Sequence, residues 1–170
     1  MAITINGNGT ITGVTSGAGK ILQVVQAIKT APFSTASTSF TDVTDLTLSI
    51  TPSSASNKII VCGYLFLSAN YNGSNPARAR ITRNGTAVFI GDTNGSRSRG
   101  IATHAWNQYS NAQAIGFTYL DSPGSTSAVT YKWQVAAEST GAPAIVGYTA
   151  SDGSTFISAP TNLVAMEVQG

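Results

Sequence analysis

Few residues in this chain are equipped to do chemistry, and their spacing assembles no reactive set. His104 is the only histidine, so a His-rich metal site is excluded. No acidic residue or cysteine lies near it in sequence. A Ser–His–Asp arrangement needs no sequence adjacency, but serine is so abundant here that its presence carries no information. His104 is therefore read as a strand residue. The seven acidic residues, Asp42, Asp45, Asp92, Asp121, Glu138, Asp152 and Glu167, are scattered. A glycosidase needs two carboxylates about 5–10 Å apart in a cleft, and no spacing here supplies such a pair. Asp42, Asp45 and the Asp152-Gly153-Ser154 run read as turn residues accepting backbone N–H bonds. The oxygen-ligand pattern of a calcium loop does not occur. The expectation is a protein without enzymatic activity, cofactor or metal.

Arginine is the informative charge. All five arginines, Arg78, Arg80, Arg83, Arg97 and Arg99, fall within 22 residues of one another. Arg78 and Arg80 are two apart on an expected strand, so they share a face while Ala79 and Ile81 point the other way. One reading is a solvated hairpin face. The sharper reading is a contact surface for a carboxylate or phosphate, on a neighbouring subunit (Asp42 and Asp45 are the candidates) or on a host surface glycan. The planar guanidinium suits such bidentate recognition. Trp106, Tyr109, Tyr119, Tyr131 and Trp133 alternate with polar residues and read as core, with a sugar-stacking platform as the alternative. Cys62 sits in the most apolar run and reads as an inert buried thiol.

The elements that must position these residues are strands. Only 9 % of the 170 residues are charged, 17 are Gly, and Ser plus Thr make up about a quarter. Short β-branched and aromatic runs are separated by turn chemistry: Asn84-Gly85, Asn94-Gly95, Ser122-Pro123-Gly124. Expected strands are 21–28, 33–40, 43–50, 59–67, 77–83, 86–90, 101–109, 114–120, 129–137, 145–148, 155–157 and 162–168. The run 59–67 reads as a central strand buried on both faces. Asn84-Gly85 predicts a type I′ hairpin turn. No segment has sustained helical periodicity. The chain is thus expected to be all-β, a sandwich or jelly roll, over residues 21–170.

Residues 1–20 differ. Ile3, Ile5, Ile11 and Val14 are set among Asn-Gly and Gly-rich pieces too short to bury much area alone. This segment is expected to be an extended arm whose four apolar residues dock on a partner, with 17–19 as a flexible joint. A formal net charge of +2 argues against a nucleic-acid partner. No stretch approaches the roughly 18 apolar residues of a membrane span. The N-terminus has no signal-peptide pattern, so synthesis in a cytoplasm without export is expected.

The arm Ile3-Thr4-Ile5-Asn6-Gly7-Asn8-Gly9-Thr10-Ile11-Thr12-Gly13 resembles a leader found in virion proteins of tailed phages, notably of marine and cyanobacterial hosts. The body is similar to small phage fibre or head decoration modules. It shares with them Gly19-Lys20-Ile21-Leu22-Gln23-Val24-Val25, the stretch 38–44, Ser49-Ile50-Thr51-Pro52-Ser53-Ser54-Ala55-Ser56-Asn57-Lys58-Ile59, Arg83-Asn84-Gly85-Thr86, Leu120-Asp121-Ser122-Pro123-Gly124 and Met166-Glu167-Val168. These are strand and turn signatures without catalytic residues. The resemblance implies a virion location, a jelly-roll sandwich and a homotrimer. Its partners would be copies of itself and other virion proteins, such as the major capsid protein or a tail protein. The role would be capsid decoration or a short fibre. The alternatives are a tail fibre recognising host glycan, or a carbohydrate-binding module.

Overall fold

The computed structural model describes residues 4–5, 11–12, 19–69, 76–104 and 111–170. Thirteen strands follow in chain order: β1 (Thr4–Ile5), β2 (Ile11–Thr12), β3 (Ile21–Lys29), β4 (Phe33–Thr35), β5 (Thr41–Ile50), β6 (Lys58–Ala69), β7 (Ala77–Arg83), β8 (Thr86–Val88), β9 (Ala102–His104), β10 (Ala112–Asp121), β11 (Val129–Ala136), β12 (Ala144–Val146) and β13 (Thr161–Val168). No helix occurs among the described residues.

Among the described residues β1 and β2 form a two-stranded sheet of their own. The others form two antiparallel sheets. In the first, β3 pairs β13, β13 pairs β6, and β10 lies along the other edge of β6. β12 continues the line of β13 along β6, with β4 outside it. In the second, the order is β5-β11-β7-β8, with β9 beside β7. Numbering the eight principal strands in chain order, omitting β1, β2, β4, β9 and β12, the sheets read first-eighth-third-sixth and second-seventh-fourth-fifth. That interleaving is the jelly roll, two Greek keys folded into a sandwich. The all-β jelly-roll expectation holds.

Alternation builds the core. In β11 the inward residues Val129, Tyr131, Trp133 and Val135 are buried, and in the neighbouring β5 Leu46, Leu48 and Ile50 lie beside them on the same inner face while Asp45, Thr47 and Ser49 are exposed. The opposite sheet contributes Ile59, Val61, Leu65, Phe117 and Leu163. Fully burying each such side chain stabilises by about 1.5–3 kcal/mol. Trp133 meets Phe117 edge to face at 5.2 Å and donates its indole N–H to the Asn162 carbonyl at 3.1 Å. The β7–β8 hairpin closes through Asn84 (φ 49°) and Gly85 (φ 83°), both left-handed, between paired Arg83 and Thr86. This is the turn the Asn-Gly pair predicts.

Several expectations are corrected. The run 59–67 is buried on both faces only from Leu65 onward; over 58–64 it alternates, with one face turned out. Asp42 and Asp45 lie inside β5 and not in a turn. Four residues, 43–46, stand opposite Trp133 alone, a large bulge with Asp45 at φ 66°. Bulging lets Val43 and Leu46 both point inward. Residues 155–157 form no strand but a turn in which the Phe156 N–H donates to the Gly153 carbonyl. Strand 33–40 stops at Thr35, where the Ser37 N–H donates to the Thr35 hydroxyl and Ser37 and Ser39 bond each other. Cys62 is half-buried on the outer face of β6, because it falls in the outward register.

The backbone joins the sandwich at Gly19, whose N–H donates to the Gln169 carbonyl, and the Gln169 N–H returns to that of Lys20. Ile3 and Val14 lie outside the described residues, as do the side chains of Ile5 and Ile11, whose backbones are paired. Trp106 and Tyr109 also lie outside the described residues.

Candidate functional site

The arginine group divides in three. Arg78 and Arg80 do share the outer face of β7, between buried Ala77, Ala79 and Ile81. Arg80 lays its guanidinium 4.0 Å from the centre of the Phe40 ring and donates Nε–H to Gln134 Oε1 at 2.8 Å. Arg78 donates Nη1 to Ser98 Oγ (2.6 Å) and Nη2 to the Ala137 and Thr38 carbonyls, with Glu138 at 3.6 Å. Its buried Nε–H finds no acceptor among the described residues. Arg97 and Arg99 belong to the exposed loop after β8, where they bond Asn94 and the Gly91 carbonyl.

Arg83 leaves the cluster. It sits in the inward register and crosses to the other sheet, donating Nη1 to Asp121 Oδ1 at 2.7 Å. Asp121 is buried and also accepts from Tyr119 (3.1 Å), Tyr131 (2.5 Å) and the Ser122 N–H. Burial first, then this carboxylate, push the Tyr131 hydroxyl far above its ordinary range. The group locks the two sheets at one end of the sandwich. Asp42, a candidate for a neighbour's arginine, is engaged within its own chain by Lys132 (2.7 Å) and Gln134 (2.6 Å). Those bonds, Lys132 first, hold its carboxyl below the usual range. Asp45 pairs with buried Lys29 at 3.2 Å.

Arg78 opens onto a cleft of about 480 Å³ lined by Phe40, Arg97, Ser98, Ile101 and Glu138 among others. The cleft offers an aromatic ring, hydroxyls, and guanidinium donors already shared with carbonyls and one carboxylate. Among the described residues no three His, Cys, Asp or Glu side chains converge in a metal-holding group. The backbone of β9 sets His104 opposite Ala77. Phe40 and Glu138 were not legible as partners of Arg78, since only folding brings 40, 78 and 138 together.

A second surface is larger and has no counterpart in the arginine reading. On the outer face of the β3–β13–β6–β10 sheet, Val24, Met166, Ile60 and Leu120 occupy one register row across all four strands. The next rows are Gln26–Val164–Cys62–Thr118 and Ile28–Asn162–Tyr64–Gly116. Val24 is 59 % exposed, Leu120 58 %, Ile28 55 % and Leu22 40 %. The sequence marks 21–28 as a strand but does not say which of its residues form the outer face. That 60, 120 and 166 continue it required the pairing.

No family model matches this chain, and no curated protein does. Among solved structures it is similar to the infectious bursal virus derived T=1 particle (TM-score 0.47, 15 % identity, 100 % of this chain and 41 % of that one). It is likewise similar to infectious bursal disease virus Gx strain (TM-score 0.46, 14 % identity, 99 % and 44 %). A third is the VP2 subviral particle of infectious bursal disease virus (TM-score 0.40, 13 % identity, 86 % and 38 %). The chain spans less than half the length of each.

Proposed function

We propose that this chain is a non-enzymatic structural protein of a virus particle, acting through assembly. The observation that carries this reading is the jelly-roll pairing order, a fold whose recurrent uses include virus shells and lectins, combined with an outer sheet face that presents an apolar row across four strands. A lone domain rarely leaves several large apolar side chains grouped on one exposed face, as Leu22, Val24, Ile28 and Leu120 are here. The sequence resemblance to tailed-phage virion modules points the same way. On it, the arm residues Ile3, Ile5, Ile11 and Val14 dock on another virion protein, and the sandwich is displayed outside.

Within that reading the role is capsid decoration, with a short fibre as the variant. Quantitative mass spectrometry of purified particles separates them: hundreds of copies per particle mean decoration, a few tens or fewer mean a tail appendage. A chain that never co-purifies with particles overturns the proposal. The cleft at Arg78 favours a second reading, a receptor-binding fibre for a hydroxyl-rich glycan. Glycan-array binding that disappears in Arg78→Ala, with the fold retained, would establish it.

A further inference from the structure

We infer that the outer face of the β3–β13–β6–β10 sheet packs against a second copy of this chain. The inference deepens the assembly reading and rests on it for the setting, because it names which surface joins subunits. Its basis is the register. The row Val24–Met166–Ile60–Leu120 runs unbroken across four strands, with Leu22 and Ile28 flanking it on β3. Flat edge-to-edge continuity of this kind is what sheet-on-sheet packing needs.

Charge selects the occupant. Among the outward positions of 22–28, 58–64, 114–120 and 162–168, only Lys58 is charged, and it sits at the border. A face with no field of either sign offers nothing to steer or register a foreign charged partner. Apart from Lys58 at its border, it also carries no basic residue for an anionic surface. It is, however, compatible with a copy of itself, since apolar and neutral groups meet without like-charge repulsion, the condition of a self-complementary contact.

The area is sufficient. Four strands spaced about 4.8 Å apart, and six residue steps of about 3.4 Å, give a flat footprint of about 400 Å² per copy. Side chains standing from it add accessible surface, so two faces bury on the order of 1,000 Å², the lower bound for a specific contact. A contact of that modest size should yield to a single buried charge per copy.

Cys62, the sole cysteine, lies half-buried inside this face and reports on its coverage. The experiment is solution mass of the full-length protein by light scattering at about 100 µM, together with the rate of maleimide labelling at Cys62. Val24→Lys and Leu120→Lys are compared with wild type and with Thr47→Lys on the other sheet. The expected result is a wild-type mass of more than one 17.5 kDa chain and slow labelling. The two face variants should run as single chains and label about tenfold faster or more, while Thr47→Lys matches wild type. Diluting the wild type should raise its labelling rate toward theirs, a readout that does not depend on the variants folding. A wild-type single chain overturns the inference whatever its labelling rate, slow labelling there meaning that a segment of the same chain covers the face. So do face variants that fold yet keep the wild-type mass. An oligomer missing from particles would leave this inference standing and remove the virion reading; a particle-bound single chain would do the reverse.

Discussion

Two buried carboxylates hold this sandwich together, and each makes a distinct prediction. Glu167 is buried and accepts from Asn57 Nδ2 (2.6 Å), Gln23 Nε2 (2.6 Å), the Ser53 N–H (2.6 Å) and Ser53 Oγ (2.8 Å). Burial alone would raise its pKa, but the bonds from Asn57, Gln23 and Ser53 more than offset that and hold it at about 2. A depressed acid stabilises the fold above its unfolded value, here 4.5, and the gain is lost as pH falls from there through about 2. The Tm difference between wild type and Glu167→Gln should therefore be full above pH 5 and shrink toward pH 2. A difference independent of pH would contradict this. Asp121→Asn should cost about 2–4 kcal/mol in urea unfolding, because Arg83, Tyr119 and Tyr131 lose a shared charged acceptor. Tyr131→Phe removes one of those bonds and should cost about 1–2 kcal/mol. Glu167 was half legible: period two places it inward with Leu163 and Ala165, a carboxylate where apolar residues belong. Its four donors come from β3 and from the loop between β5 and β6, and no local pattern names them. Asp121 gave no such signal, since Leu120-Asp121-Ser122-Pro123 reads equally well as a turn.

Two glycines on paired strands separate the demands of the inner and outer sheet faces. Gly63 of β6 lies under the Trp133 indole; a Cβ there would come within 2.8 Å of the Asn162 carbonyl oxygen and 2.9 Å of the Phe117 ring. The backbone carbonyl cannot move without breaking the β13 register, so Gly63→Ala should cost about 2–3 kcal/mol. Gly116 of β10 has open space where its Cβ would stand. Gly116→Ala should change stability by no more than about 0.5–1 kcal/mol, in the favourable direction, by restricting the unfolded chain. Equal effects in parallel urea titrations would refute this account of the two faces. Hairpins and alternating strands were readable because their causes are local: Asn84-Gly85 supplies two left-handed residues, and Leu46, Leu48 and Ile50 repeat every second position. The bulge in β5 was not, because Asp45 takes a left-handed φ to satisfy long-range packing of Val43 and Leu46 around Trp133. Phe156 and Ile157 looked like a strand because apolar content was read without a partner to pair them, and both are exposed.

At the scale of the whole molecule, the jelly-roll order is a statement about which distant strands meet, such as β3 with β13 across more than 130 residues. Periodicity could say that strands exist and that their faces alternate, but not that the first pairs with the last. That pairing bears on the arm. The sandwich closes its own edge at Gly19 and Lys20 through the Gln169 backbone, and every residue of the buried core cluster lies between Val43 and Ala165. A chain lacking residues 2–18 therefore keeps every residue of that cluster and the backbone bonds of Gly19 and Lys20 with Gln169. It should show a cooperative thermal transition within a few degrees of the full-length protein, because a change of about 1 kcal/mol shifts Tm by only about 2–4 °C in a domain of this size. If Ile3, Ile5, Ile11 and Val14 anchor the protein to a neighbour, the same truncation should abolish its recovery in purified particles. Normal incorporation of a folded, truncated chain would move the anchor to the sandwich. A truncated chain that fails to fold would show instead that the arm completes the core.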